Sequence, residues 1–161
     1  DASMRELILL RHAHAEPPRP GQADLDRALS ADGLAEASAV AHWLQHKSLV
    51  PDRALCSPAR RTRETLDAVM EVVGCLDKQL EPSIYEAMPG TLAGLLDAHR
   101  DAERLLLVGH NPGLERLVAL LHSGQSGDYR GMPPAAVAVL SLPEDAPLEP
   151  GVATLTAFWW P

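Results

Sequence analysis

A chain of 161 residues with a formal charge of −8 is long enough for one domain with a sizeable core. Its acidity speaks against nucleic acid or an anionic membrane surface as partner, so any anion site must be a local basic pocket. Hydrophobic residues make up 46% of it, yet no apolar run approaches the roughly 20 residues that cross a bilayer.

Asp1-Ala2-Ser3, ahead of Met4, reads as a vector-derived remnant, and the domain is expected over residues 4–161. Glu6 to Leu10 contains four consecutive large aliphatic residues, the pattern of a strand buried on both faces of a parallel sheet. It ends in Arg11-His12-Ala13-His14, and ligands of open α/β sheets bind beyond such carboxyl ends. A loop rich in Pro and Asp follows, then a helix capped by Ser30 and running to His46, with Leu34, Ala37, Val40, Ala41 and Leu44 as its apolar stripe. His42 and His46, four apart, lack the Glu of a zinc-protease helix and are expected in solvent. Arg53 to Ser57 reads as a second strand.

The next helix is expected from Pro58 to Val73, closed by Gly74. Its first turns carry Arg60, Arg61 and Arg63, where the helix dipole already places positive charge. That asks for a visiting anion, or for salt bridges to Asp52 or Glu64. Leu80 to Tyr85 reads as extended, and Thr91 caps a helix to about Arg100. Arg104 to Gly109 is a second fully apolar strand, ending in His110-Asn111-Pro112-Gly113. A helix capped by Asn111 follows, and two strands, 136–142 and 152–160, close the chain. Alternating strands and helices predict an α/β fold with a mostly parallel sheet covered on both faces. Cys56 and Cys75 form no C-x-x-C pair, and no secretory leader precedes Arg11; a reducing cytoplasm is expected.

If the three strand ends share one edge of the sheet, two histidines and two or three arginines converge there. A guanidinium fork suits a phosphate, and a neutral imidazole attacks phosphorus. Leu9-Leu10-Arg11-His12-Ala13, Ser57-Pro58-x-x-Arg61-x-x-x-Thr65 and Val108-Gly109-His110-Asn111-Pro112, in this order, resemble the histidine phosphatase (phosphoglycerate mutase-like) superfamily. The small size and Ile84-Tyr85-Glu86-Ala87 resemble its SixA-type branch, the phosphohistidine phosphatases. The resemblance implies a single-domain three-layer α/β/α sandwich with a six-stranded sheet. It implies His12 as the nucleophile that becomes phosphorylated, Arg11 and Arg61 as phosphate-binding arginines, and His110 as the second histidine.

Asn111 and the helix start behind it would add donors, and His14, two residues past His12, would border the pocket. Surrounding cations favour the neutral form of His12. Ala13 stands where the wider family has Gly, and Glu86 is the one candidate proton donor. Arg60 and Arg63 are expected at the surface or the pocket rim. No cofactor or metal is expected, since guanidiniums supply the charge a metal would bring.

The substrate class read from this is a phosphorylated protein carrying phosphohistidine, or another small phosphomonoester. Short loops leave no room for a lid, which favours the protein. A non-catalytic phospho-ligand binder of the same fold is the runner-up. A metal hydrolase is disfavoured by arginines beside the histidines, and a dinucleotide enzyme by the lack of G-x-G-x-x-G after the first strand.

Overall fold

The computed structural model describes residues 4–75 and 77–161; the remnant expected at Asp1–Ser3 lies outside them. Ten regular elements follow in order: β1 (Glu6–Arg11), α1 (Ala31–His46), β2 (Arg53–Cys56), α2 (Arg60–Val73), β3 (Lys78–Leu80), α3 (Pro89–Asp97), β4 (Arg104–Gly109), α4 (Gly113–Ser123), β5 (Val137–Ser141) and β6 (Thr154–Trp159). They form one six-stranded sheet in the order β3-β2-β4-β1-β5-β6. The first four strands of that order are parallel; β5 pairs antiparallel with β1, and β6 antiparallel with β5. This is the mostly parallel, three-layer α/β fold that the alternation of elements predicts. Among the described residues, no helix is long and apolar enough to cross a membrane.

The continuous apolar runs are explained by the two covered faces. Leu7, Leu9, Leu105 and Leu107 pack toward Leu92 and Leu96 of α3 and Leu114 and Leu117 of α4. Ile8, Leu10, Leu106 and Val108 pack toward Val40, Ala41 and Leu44 of α1 and Leu66 and Val69 of α2. Alternate side chains of a strand point to opposite faces, so a strand between two helical layers is apolar throughout. Each such Leu or Ile contributes about 2 kcal/mol of transfer free energy. The central strands β1 and β4 are therefore the most rigidly specified part of the chain, and both end at the cleft described below.

Several boundaries differ from the sequence expectation, each for a local reason. Leu34 is 53% exposed, and Gly33 takes the buried place on α1. The carbonyl of His14 crosses there: a Cβ on residue 33 would sit 2.0 Å from its oxygen. The stripe thus starts at Gly33 and continues through Ala37, Val40, Ala41 and Leu44. α2 begins at Arg60 rather than Pro58, because Ser57 N–H still donates to Val108 O at 3.2 Å and prolongs the ladder. Pro82–Ile84 form a 3₁₀ turn instead of extended chain. α3 starts at Pro89, with a proline in its first turn, and so Thr91 lies inside it. Pro112 is the positional cap of α4, although Asn111 Oδ1 does accept from Glu115 N–H at 3.2 Å.

Gly33→Ala has an unusual expected sign. In a free helix Ala is better than Gly by about 1 kcal/mol. Here the new methyl group meets backbone, and forced overpacking costs up to about 3 kcal/mol. Thermal unfolding of the variant should fall by roughly 5–10 °C; an unchanged or raised Tm would contradict the close approach.

Candidate active site

Because β1, β2 and β4 are parallel neighbours, their carboxyl ends fall at one edge of the sheet. Arg11 pairs with Gly109 across the ladder, and His12 N–H donates to Gly109 O at 3.1 Å. Arg11-His12, Ser57 and His110 therefore meet in three dimensions, as the sequence expectation requires. Arg11, His12 and His110 line a cleft of about 720 Å³ that also takes in Arg61, Asn111 and Glu86, while Ser57 is fully buried.

His12 is oriented by its own chain. Its Nδ1 lies 2.7 Å from Ala13 O, and a carbonyl oxygen can only accept. Nδ1 therefore carries the proton, and Nε2 keeps a free lone pair. Burial first, then the charges of Arg61, Arg11 and Arg27, lower the His12 pKa to about 4 against the opposing bond to Ala13. His110 lies beside it, ring centroids 5.3 Å apart, with Nε2 2.7 Å from the buried Ser57 Oγ. Burial, then neighbouring positive charge from His12 and Arg61, lower the His110 pKa to about 3. Both rings are thus neutral at pH 7.

An NMR titration of the imidazole C–H signals tests this. Midpoints near 4 and 3 are expected for His12 and His110; midpoints above 6 would contradict the arrangement. The sign for stability follows by linkage. Both pKa values are depressed in the folded state, so the unfolded chain takes up protons first as pH falls below about 6.5. The folded state accordingly loses stability from there downward, until the folded imidazoles also protonate.

The motif spacing around Arg61 has a structural cause. Thr65, one turn further on, is fully buried; its Oγ1 donates to Arg61 O at 2.8 Å and accepts from Ala13 N–H at 3.1 Å. That hydroxyl fixes α2 against the end of β1, which sets the distance between Arg61 and His12. Arg11 is held by Nη1 donating to Met132 O at 2.8 Å, while its Nε is buried without a hydrogen-bond partner among the described residues. Burial lowers the Arg11 pKa, partly offset by Glu115 and Glu36. Asn111 Nδ2 donates to the same Met132 O at 2.9 Å and to Glu115 at 3.3 Å.

Not every expected residue joins the site. His14 is exposed and turned away, with Nδ1 2.7 Å from Ser30 Oγ, and does not line the cleft. The reason is again the close contact between its backbone and Gly33, which fixes the residue against α1. Glu86 does line the cleft, exposed at its rim in left-handed backbone with φ 58°. Arg60 pairs with Glu64 at 3.5 Å, and Arg63 donates from Nε to Pro58 O at 3.0 Å. Asp52, expected as a partner, instead accepts from the backbone of Glu103 and Arg104. His42 and His46 are exposed. Among the described residues, no group of three or more His, Cys, Asp or Glu side chains is placed to hold a metal ion.

The site also contains residues that sequence reasoning missed. Asp24, Arg27 and Tyr85 line the cleft. Asp24 accepts from Arg61 Nη2 at 2.9 Å, from Arg27 Nη1 at 3.1 Å and from the Tyr85 hydroxyl at 2.5 Å. Asp24 thus supplies from within the chain a carboxylate partner for Arg61, where the sequence suggests Asp52 or Glu64. Its signal was the arginine cluster itself, which demands a carboxylate without saying which. Ser57 stood in a motif, but its bond to His110 was not foreseen.

The histidine phosphatase superfamily (branch 1) matches residues 7–110. The chain is 38% identical over 133 residues to an uncharacterised chloroplastic protein of Arabidopsis thaliana; the match covers 76% of this chain and 61% of that protein's length. It is 29% identical over 131 residues to the phosphohistidine phosphatase SixA of Escherichia coli K12, covering 75% and 76% of the two chains. A solved structure from Agrobacterium tumefaciens, assigned as phosphohistidine phosphatase SixA, superposes with a TM-score of 0.85 at 29% identity, covering 98% and 99% of the chains. The family match spans well over half of the sequence and includes the first, second and third motifs up to His110, and so the chain belongs to the histidine phosphatase superfamily, branch 1.

Proposed function

We propose that the protein is a metal-independent phosphatase that hydrolyses phosphohistidine on a protein partner through a covalent intermediate on His12. The observation that carries this reading is the unprotonated Nε2 of His12, fixed by the Nδ1 bond to Ala13 O, in a cleft shared with Arg11, Arg61 and His110. Membership in the superfamily and likeness to SixA proteins support the class of reaction.

In this reading, Nε2 attacks phosphorus in line with the leaving group. The bond from phosphorus to the leaving atom breaks and its electron pair stays on that atom. An alkoxide then takes up a proton, whereas a phosphohistidine imidazole, already protonated on its other nitrogen, leaves neutral. Arg11 and Arg61 neutralise the non-bridging oxygens and the neutral His110 ring adds a hydrogen bond, where phosphoryl transfer needs positioning and charge more than covalent help. Water then attacks the phosphohistidine, a phosphorus–oxygen bond replaces the phosphorus–nitrogen bond, and inorganic phosphate departs. Asn111 contributes by donating its side-chain amide to the Met132 carbonyl that also accepts from Arg11. Glu86, at the rim, is placed to serve leaving groups that need a proton donor. Two free thiols, Cys56 and Cys75, support a reducing, cytoplasmic location.

Substrate preference follows from the open cleft and from the rim position of Glu86, since the other lining carboxylate, Asp24, is held charged by its bonds to Tyr85, Arg61 and Arg27. An alkoxide needs a proton as it leaves, and general acid help is worth typically 10²–10⁴. The imidazole of phosphohistidine is protonated from solvent beforehand. Wild type in EDTA should show higher kcat/KM on a phosphohistidine peptide than on an alkyl phosphate, and Glu86→Gln should hurt only the latter. Preference for a sugar phosphate would favour a small-molecule phosphomonoesterase on the same fold. Activity lost with EDTA and restored by a divalent cation would overturn metal independence.

A further inference from the structure

Arg61 is only 6% exposed, and its guanidinium is clamped on one side. Nη1 donates to Asp24 O at 2.8 Å, and Nη2 donates to Asp24 Oδ2 at 2.9 Å. The same Oδ2 accepts the Tyr85 hydroxyl, while Oδ1 accepts Arg27 Nη1. One carboxylate therefore joins α2, the turn after β3 and the loop after β1 around a single point of the cleft. The Tyr85 ring in turn stands edge-on to His110, centroids 5.5 Å apart. The hydrogen bond from Tyr85, then those from Arg61 and Arg27, hold the Asp24 carboxyl well below the usual range.

We propose that Asp24 is a positioning residue for phosphoryl transfer: it sets the plane of the Arg61 guanidinium and leaves that group's remaining N–H donors for the phosphoryl oxygens. This rests on the reading of the cleft as a phosphoryl site. A guanidinium has five N–H donors, and Asp24 engages two of them. A planar fork fixed along one edge presents the others in a defined direction. The opposite role is also conceivable for a carboxylate in a cationic cleft, namely an internal competitor that phosphate must displace. The two roles predict opposite changes in turnover.

The test uses the full chain with p-nitrophenyl phosphate as substrate and inorganic phosphate as inhibitor. Asp24→Ala removes a negative charge beside the ligand, so KM and the phosphate inhibition constant should hold or fall. Turnover should nevertheless drop at least tenfold, because Arg61 is no longer fixed. Asp24→Asn keeps an oxygen acceptor for Arg61 and should recover part of that loss. Asp26→Ala, which removes a neighbouring exposed carboxylate, should behave as wild type. If Asp24→Ala does not fold, Asp24→Asn carries the test, with reduced kcat at unchanged KM as its expected result. A kcat within twofold of wild type, or a kcat that rises as phosphate binds tighter, would overturn the positioning role and leave the His12 chemistry standing. A wild type that turns over neither p-nitrophenyl phosphate nor a phosphohistidine peptide would overturn both.

Discussion

His12→Ala should lose turnover by roughly 10⁴-fold or more, because it removes the atom that forms the bond to phosphorus. The loss should fall on kcat. Among the described residues, the His12 ring makes one hydrogen bond, to Ala13 O of its own chain, so its removal leaves the packing of β1 intact. Leu7 to Leu10 remain fully buried, and the variant should keep its fold and a Tm close to that of wild type. Arg11, Arg61 and His110 also remain, so inorganic phosphate should still bind. A variant that binds phosphate, unfolds normally and does not turn over isolates the chemical step. Near wild-type turnover would instead move the nucleophile elsewhere.

The second large effect is expected at the arginines. Arg61→Ala should lower kcat by roughly 10²–10³, the usual cost of deleting one donor to developing charge. Arg61→Lys should recover little of it. Lysine offers one point charge, whereas Arg61 meets a backbone oxygen and a carboxylate oxygen of Asp24 with two separate nitrogens. Arg11→Ala should cost a similar factor and weaken phosphate binding as well, since it also releases the contact with Met132 O. Steady-state kinetics on all three variants with one aryl phosphate, alongside phosphate inhibition constants, separates these effects. Arg61→Lys at wild-type rate would show that charge alone suffices and that the clamp is irrelevant.

How far the sequence discloses this arrangement depends on the kind of signal each residue leaves. β1 and β4 are legible to within a residue, because burial on both faces forces an unbroken apolar run and the run stops where the cleft begins. Their ends identify Arg11, His12 and His110. Arg61 is legible through a conflict: positive charge at a positive helix end. The residue that resolves the conflict is not legible. Asp24 lies 37 residues away in a short 3₁₀ turn of the loop after β1, and nothing periodic marks it out among Asp24, Asp26 and Asp32. Likewise, Leu34 looks like core by its chemistry, and only the path of the His14 carbonyl across Gly33 turns it outward. His14 fails for the same reason: closeness to His12 in sequence says nothing about direction after a strand ends. The Ser57 hydroxyl bond to His110 joins neighbouring strands and exists only once the sheet order is fixed.

The central claim, that phosphate passes through His12 Nε2, is tested most directly by trapping the intermediate. Wild type is mixed with excess phosphohistidine peptide, quenched in base within the first turnovers, digested and analysed by mass spectrometry. The account predicts one phosphate adduct, on His12, stable in base and lost in acid, and none in His12→Ala. An adduct on any other residue, or turnover by His12→Ala with no adduct formed, would contradict it.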